Sequence, residues 1–131
     1  MRKAVIVDTD ILIDLAHENE VAINCLKKLE KDYQLEISAI TKLEIIVACR
    51  NKTELKEASK FLEEFPINAL SHEITHKTIE LVSKYYLSHG LLIPDALIAA
   101  TGIVSQKPLI SKNQKDYRFI EDLDLLPYPF A

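Results

Sequence analysis

A layered α/β fold, with a central parallel sheet of about five strands and helices on both faces, is what this sequence predicts. Three observations carry that reading. Short apolar runs alternate with longer helical patterns along the chain. The runs KAVIVD, LEISAI, INAL, PLIS and LDLLP are largely apolar at consecutive positions, as in strands covered on both faces. The helical patterns between them carry start and stop residues at their ends.

In order, residues 3–8 read as a buried strand ending in acid, and Asp10 caps a short helix, ILIDLAH. A second helix spans about Glu18 to Asp32, and residues 35–40 form the next strand. Thr41 opens a helix through Arg50, and Thr53 opens an amphipathic one that Pro66 stops. INAL is a short strand. Ser71 caps a long helix that runs to about Ser88 and ends near Gly90. Pro94 and Asp95 begin a nearly all-apolar helix, DALIAATGIV, followed by the strand PLIS, the polar turn KNQKD and a last strand around LDLLP. The 131 residues are read as one domain, 1–131.

Composition narrows the function. Hydrophobic residues are 48% and charged residues 27%, too apolar for disorder, and 2 Gly with 5 Pro exclude linker-rich sequence. No apolar run approaches the ~18 residues of a spanning helix, and an acid interrupts MRKAVIVDTD before a signal-peptide core forms. The protein is therefore expected in the cytoplasm, with no membrane partner, and with Cys25 and Cys49 as free thiols. A net charge of −4 argues against non-specific coating of nucleic acid. It leaves room for an enzyme that meets phosphate through a cation.

In open parallel sheets, chemistry gathers at the carboxyl ends of the strands. Four acids are placed there. Asp8 ends the first strand, and Glu44 lies in the first turn of the helix after the second strand. Asp95 opens the DALIAATGIV helix, and Asp116 follows the PLIS strand. Glu44 and Asp95 sit in the two most apolar helical stretches, which are expected to be buried. Each acid also has a local use. Thr41-x-x-Glu44 fits a capping box; Asp95 and Asp116 suit helix N-termini, and Asp8 suits a turn. Four carboxylates at one sheet edge repel each other, and a hard divalent cation such as Mg²⁺, or Mn²⁺, relieves that repulsion.

VDTDILIDL at 7–15, Thr41-x-x-Glu44, PDALIAAT at 94–101 and Ser111-x-Asn113-x-x-Asp116-Tyr117 occur in an order that resembles the PIN-domain family. The likeness is strongest to its VapC-type toxins, the ribonuclease halves of toxin–antitoxin pairs. The motifs span Asp8 to Tyr117; Ser111 stands where threonine is commoner, and Gly102 where alanine is usual. The resemblance implies a three-layer PIN-like fold and a Mg²⁺- or Mn²⁺-dependent endoribonuclease whose catalytic acids are Asp8, Glu44, Asp95 and Asp116. Asp8, Asp95 and Asp116 are the metal ligands it implies, with Thr9, Ser111 and Asn113 bracing them. Lys112, Lys115 and Arg118 flank Asp116 as candidate contacts to RNA phosphates. The implied partners are an RNA substrate, an antitoxin and a second copy of the chain. The apolar stripes of two amphipathic helices, Val21, Cys25, Leu26 and Leu29 on one and Leu55, Ala58, Phe61, Leu62 and Phe65 on the other, read first as core, with their rims available to a dimer contact.

Other readings compete. The chain is also compatible with a non-toxin PIN nuclease, or with a catalytically silent PIN binding module. His72-Glu73-Ile74-Thr75-His76 matches H-E-x-x-H, the zinc protease signature. The apolar face of that helix is Ile74, Thr78, Leu81, Val82 and Tyr85, which puts both histidines toward solvent. The extended signature also fails, since Ile79 and Val82 replace its glycine and third histidine. Asp8-Thr9-Asp10 is similar to the start of aspartyl-phosphate phosphotransferases, but Leu12 departs from that pattern, there is no cap domain, and Asp10 reads better as a helix cap.

Overall fold

The computed structural model describes residues 3–130. Five parallel strands form its sheet: β1 (Lys3–Val7), β2 (Tyr33–Ser38), β3 (Ile67–Asn68), β4 (Leu109–Ile110) and β5 (Leu125–Leu126), in the order β3-β2-β1-β4-β5. Six helices connect them: α1 (Thr9–Ala16), α2 (Glu20–Leu29), α3 (Ala39–Ala48), α4 (Lys52–Leu62), α5 (His72–His89) and α6 (Ile93–Ser105). A one-turn 3-10 helix, Gln114–Asp116, follows β4.

The two faces of the sheet have different cores because successive strand residues point to opposite sides. Val5, Val7, Leu35 and Ile37 pack with Ile11, Leu12, Cys25, Leu26 and Leu29 of α1 and α2 and with Leu62 of α4. Ile6 and Leu109 pack with Ile74, Leu81 and Tyr85 of α5 and Ile98 and Ala99 of α6. Strand order reverses at β1, which pairs with β2 on one side and β4 on the other. The crevice of such a sheet opens at the carboxyl end of that strand, where Asp8 follows Val7.

Several helix starts differ from the sequence reading, each for a capping reason. Asp8, not Asp10, caps α1: its Oδ1 accepts the Thr9 N–H at 2.8 Å. Asn19 caps α2 and Asn51 caps α4. Ser38 ends β2 and caps α3 through the Ile40 N–H at 3.1 Å, so Ala39 and Ile40 are helical rather than strand. That earlier start puts Glu44 in the second turn. Thr41 lies buried inside the helix, and the expected capping box does not form.

The apolar character of α3 does not mean burial either. Leu43 is 53% exposed and Val47 82% exposed, in a groove they share with Pro94 and Leu97 of α6. The rims of α2 and α4 expose less: the stripes expected there are largely core, leaving Val21 and Leu55 partly open.

Ser71 caps α5 as expected, accepting the Ile74 N–H at 3.2 Å. Gly90 ends that helix in the left-handed region, φ +67°, donating its N–H to the Tyr86 carbonyl at 2.7 Å. A Cβ there meets no neighbouring atom, so only backbone strain opposes substitution. Gly90→Ala is expected to lower stability by about 1 kcal/mol, with Gly90→Asn costing less, since asparagine tolerates this conformation. Thermal melts check this; an unchanged Tm for the alanine variant contradicts it.

Candidate active site

The α/β topology delivers the acids from four different segments. Asp8 is at the end of β1 and only 5% exposed. Its Oδ1 is held by the Thr9 N–H, and its Oδ2 accepts the Ser111 hydroxyl, just past β4, at 2.6 Å. Glu44 on α3 accepts the Thr9 hydroxyl through Oε1 at 2.7 Å. The buried Thr41 hydroxyl lies 2.9 Å from the same Thr9 oxygen, placed to donate to it. Thr9 thus bonds Glu44 through its hydroxyl and Asp8 through its N–H, and Ser111 bonds Asp8.

Asp95 stands in the first turn of α6, but its side chain caps nothing; Leu92 is the cap residue and makes no side-chain bond. The Asp95 Oδ1 instead accepts the hydroxyl of Tyr117 at 3.2 Å. Tyr117 is almost fully buried and lies between Asp95 and Asp8. Its phenol is pushed far above the ordinary range by burial and by the charges of both aspartates. Asp116 closes the 3-10 turn and is exposed; with Asp95, His89 and Phe119 it lines a cavity of about 150 Å³.

The electrostatics follow from this assembly. Burial, reinforced by the neighbouring charge of Asp10, pushes Asp8 up to about 7, against the lowering effect of Ser111 and the Thr9 N–H. Asp95 is raised by burial first, with Asp116, Glu44 and Asp10 adding and the Tyr117 hydrogen bond opposing. The groups that hold these two carboxylates down are hydroxyl and N–H donors, not cations.

Among the described residues, no three His, Cys, Asp or Glu side chains converge closely enough to hold an ion in this conformation. The donor set still fits a hard divalent cation. Its donors are carboxylate oxygens drawn toward one another by the fold and left without a cationic side chain.

Two further residues belong to the same cluster. Asp10 does not cap α1. Its Oδ1 accepts the Ile11 N–H at 2.7 Å, and its Oδ2 takes the Asn113 N–H at 3.2 Å, which ties α1 to the loop after β4. Asn113 therefore contributes its backbone, donating also to the Ser111 hydroxyl at 3.0 Å. Tyr117 is the residue that sequence reasoning left out of the site. A tyrosine directly after the last acid was the available signal, though nothing local distinguishes it from ordinary packing.

Of the three basic candidates, Lys112 is engaged by Asp14 at 2.8 Å, whereas Lys115 and Arg118 are exposed and have no ion-pair partner among the described residues. The histidines of the H-E-x-x-H match are exposed on α5 with their Nε2 atoms 3.1 Å apart. Burial plays little part at Glu73, whose carboxyl is lowered by its own N–H and by Ser71, as for a first-turn capping acid.

A family model described as PIN domain matches residues 5–121. The chain belongs to the PIN domain family. Solved PIN-like structures agree over nearly its whole length. A chain of a toxin–antitoxin complex from Klebsiella pneumoniae superposes with a TM-score of 0.79 at 28% identity, covering 98% of this chain and 99% of that one. A chain of VapBC2 from Rickettsia felis, bound to a DNA fragment from its promoter, gives 0.77 at 25%, covering 93% and 96%. FitAcB from Neisseria gonorrhoeae, at 19% identity and a TM-score of 0.74 over 95% and 97%, shares the fold. None of the curated proteins compared with the chain matches it.

The raised Asp8 ties the stability of this PIN domain to pH. Between the ordinary 3.8 and the folded value of about 7, the native state binds the proton that the unfolded chain releases. Stability without metal therefore falls as pH rises through that window. Asp8→Asn removes the charge while keeping an acceptor for Thr9. The stability difference between variant and parent should move in the variant's favour by about 2 to 3 kcal/mol from pH 5 to pH 8. Denaturant titrations in chelator check this, and a gap independent of pH contradicts it.

Proposed function

We propose that this PIN domain, taken as one unit over residues 1–131, is a metal-dependent endoribonuclease and the toxin of a VapBC-type pair. The observation that carries the reading is that the charges of Asp10 and Asp95 act on buried Asp8, and those of Asp116, Glu44 and Asp10 on Asp95, with hydroxyl and N–H donors rather than cations opposing them. Asp8, Asp95 and Asp116 are the ligands for Mg²⁺ or Mn²⁺. When bound, the ion acidifies a coordinated water and neutralises charge developing on the phosphoryl oxygens. Glu44, fixed by Thr9, completes the shell or orients the attacking water. Ser111 and Tyr117 hold Asp8 and Asp95 in register with each other. Lys115 and Arg118 are free to take RNA phosphates, while Lys112 is drawn to Asp14.

The solved relatives that are complexes with an antitoxin support such a partner here. A cleft of about 550 Å³ with an apolar floor of Leu12, Ile13, Ile45 and Phe61 and a charged rim of Arg50 and Glu57 suits an amphipathic antitoxin segment. The open apolar groove lined by Ile40, Leu43 and Val47 of α3 and Pro94 and Leu97 of α6 suits a second copy of the chain.

Incubating the protein with total RNA, with and without Mg²⁺ or Mn²⁺, and mapping the cut ends tests the activity. Cleavage should require the metal and fall more than about 100-fold in Asp8→Asn, while circular dichroism stays that of a folded chain. A variant that cuts as well as the parent removes the reading.

A further inference from the structure

The cavity that holds Asp95 and Asp116 has a third component, which neither the carboxylates nor a metal ion requires. His89 and Phe119 line it too. Their rings lie flat against each other, centroids 4.2 Å apart and 10° from parallel. The pair is buttressed from the core. Buried Tyr85 meets Phe119 edge-on at 5.2 Å and 63°, and meets His89 at 5.9 Å and 73°. The Ser88 hydroxyl lies 2.8 Å from the His89 Nδ1, which sets the ring from its edge.

His89 is nonetheless exposed. As the last residue of α5 before the left-handed turn at Gly90, it stands at the cavity mouth rather than in the core. An exposed side chain ordinarily samples several rotamers. Here three neighbours fix an imidazole that burial does not hold, so one π-face is preset and open.

We propose that His89, held flat on Phe119, is the platform on which one unpaired nucleobase stacks when the adjoining RNA phosphate lies at Asp95 and Asp116. This rests on the ribonuclease reading of that site and adds a substrate-positioning residue to it. The cavity of about 150 Å³ beside the acids is on the scale of a single base. A base inside a duplex has both faces covered by its neighbours, so the strand is taken single-stranded, from a loop or an end. Stacking tolerates any base because every base has a π-face. His89 is thus a substrate-positioning residue, separate from the chemistry.

The test uses the full chain in excess, with Mg²⁺, and short single-stranded RNAs of mixed sequence carrying 2-aminopurine at each position in turn. Stopped-flow fluorescence reads stacking before cleavage, and a gel of the same mixture reads the cut. In the parent, one position close to the cut should be quenched. His89→Ala and His89→Leu should both lose that quench and raise KM by about 5- to 100-fold with little change in kcat, and His89→Tyr should restore both. Leucine keeps bulk against Phe119 but has no π-face, so a purely packing role predicts that it behaves as the parent.

If the parent cuts and His89→Ala and His89→Leu match it in quench and KM, the platform is wrong and the ribonuclease reading stands. If the parent quenches through His89 but cuts nothing with either metal, the ribonuclease reading fails and the platform stands. Absence of any quench in the parent overturns the platform outright.

Discussion

Carboxylate charge set beside carboxylate charge, with the innermost acid almost wholly buried, is the arrangement around which this molecule is organised. Asp8 is almost fully buried, with Asp10 and Asp95 as charged neighbours. Asp95 in turn faces Asp116, Glu44 and Asp10. Nothing about folding favours this, since desolvation and like charge both penalise ionisation. A chain selected for stability alone would place amides or aliphatic side chains here. The fold accepts the repulsion, and its hydrogen bonds fix where the carboxylates point.

Those hydrogen bonds cross between segments remote in sequence. Ser111 at the end of β4 holds Asp8 at the end of β1; Thr9 on α1 holds Glu44 on α3; Tyr117 reaches Asp95 on α6. The parallel sheet makes this possible. Adjacent strands end at the same edge, and β1 sits where strand order reverses, with β2 and β4 as its neighbours. The apolar packing of α5 against α6 on one face, and of α1 and α2 on the other, sets the backbone positions from which the short side chains reach inward. Because each acid arrives on a different element, tertiary packing rather than local sequence determines their geometry.

The same distinction explains what could be read from the chain beforehand. The apolar run in KAVIV and the apolar residues of LEIS announced strands, and Ser71 and Gly90 marked both ends of α5, because these signals are local. The four acids could be singled out through a motif order that resembles one family's, and Asp8 also through its place at the end of a strand. What local pattern could not supply was the competition between neighbouring caps. Asp8 and Asp10 are equally plausible caps for α1, and the Ser111 contact fixes Asp8 in that place. Thr41 and Glu44 spell a capping box, yet Ser38 starts the helix earlier and frees both side chains to face Thr9. An all-apolar helix such as α3 was expected to be buried, but Leu43 and Val47 face outward, where composition says nothing of orientation. Tyr117 and the His89–Phe119 stack needed three-dimensional contacts to be seen at all.

The central claim is that this acidic cluster exists to hold a hard divalent ion. Crystals grown or soaked with Mn²⁺, with data collected at its absorption edge, test it most directly. The account predicts an anomalous peak among Asp8, Asp95 and Asp116, with carboxylate oxygens or bridging waters at about 2.1 to 2.2 Å from the ion. Full occupancy of Mn²⁺ elsewhere on the protein, with Asp8 still bonded only to Ser111 and Thr9, Asp95 only to Tyr117, and no ion at Asp116, would contradict it.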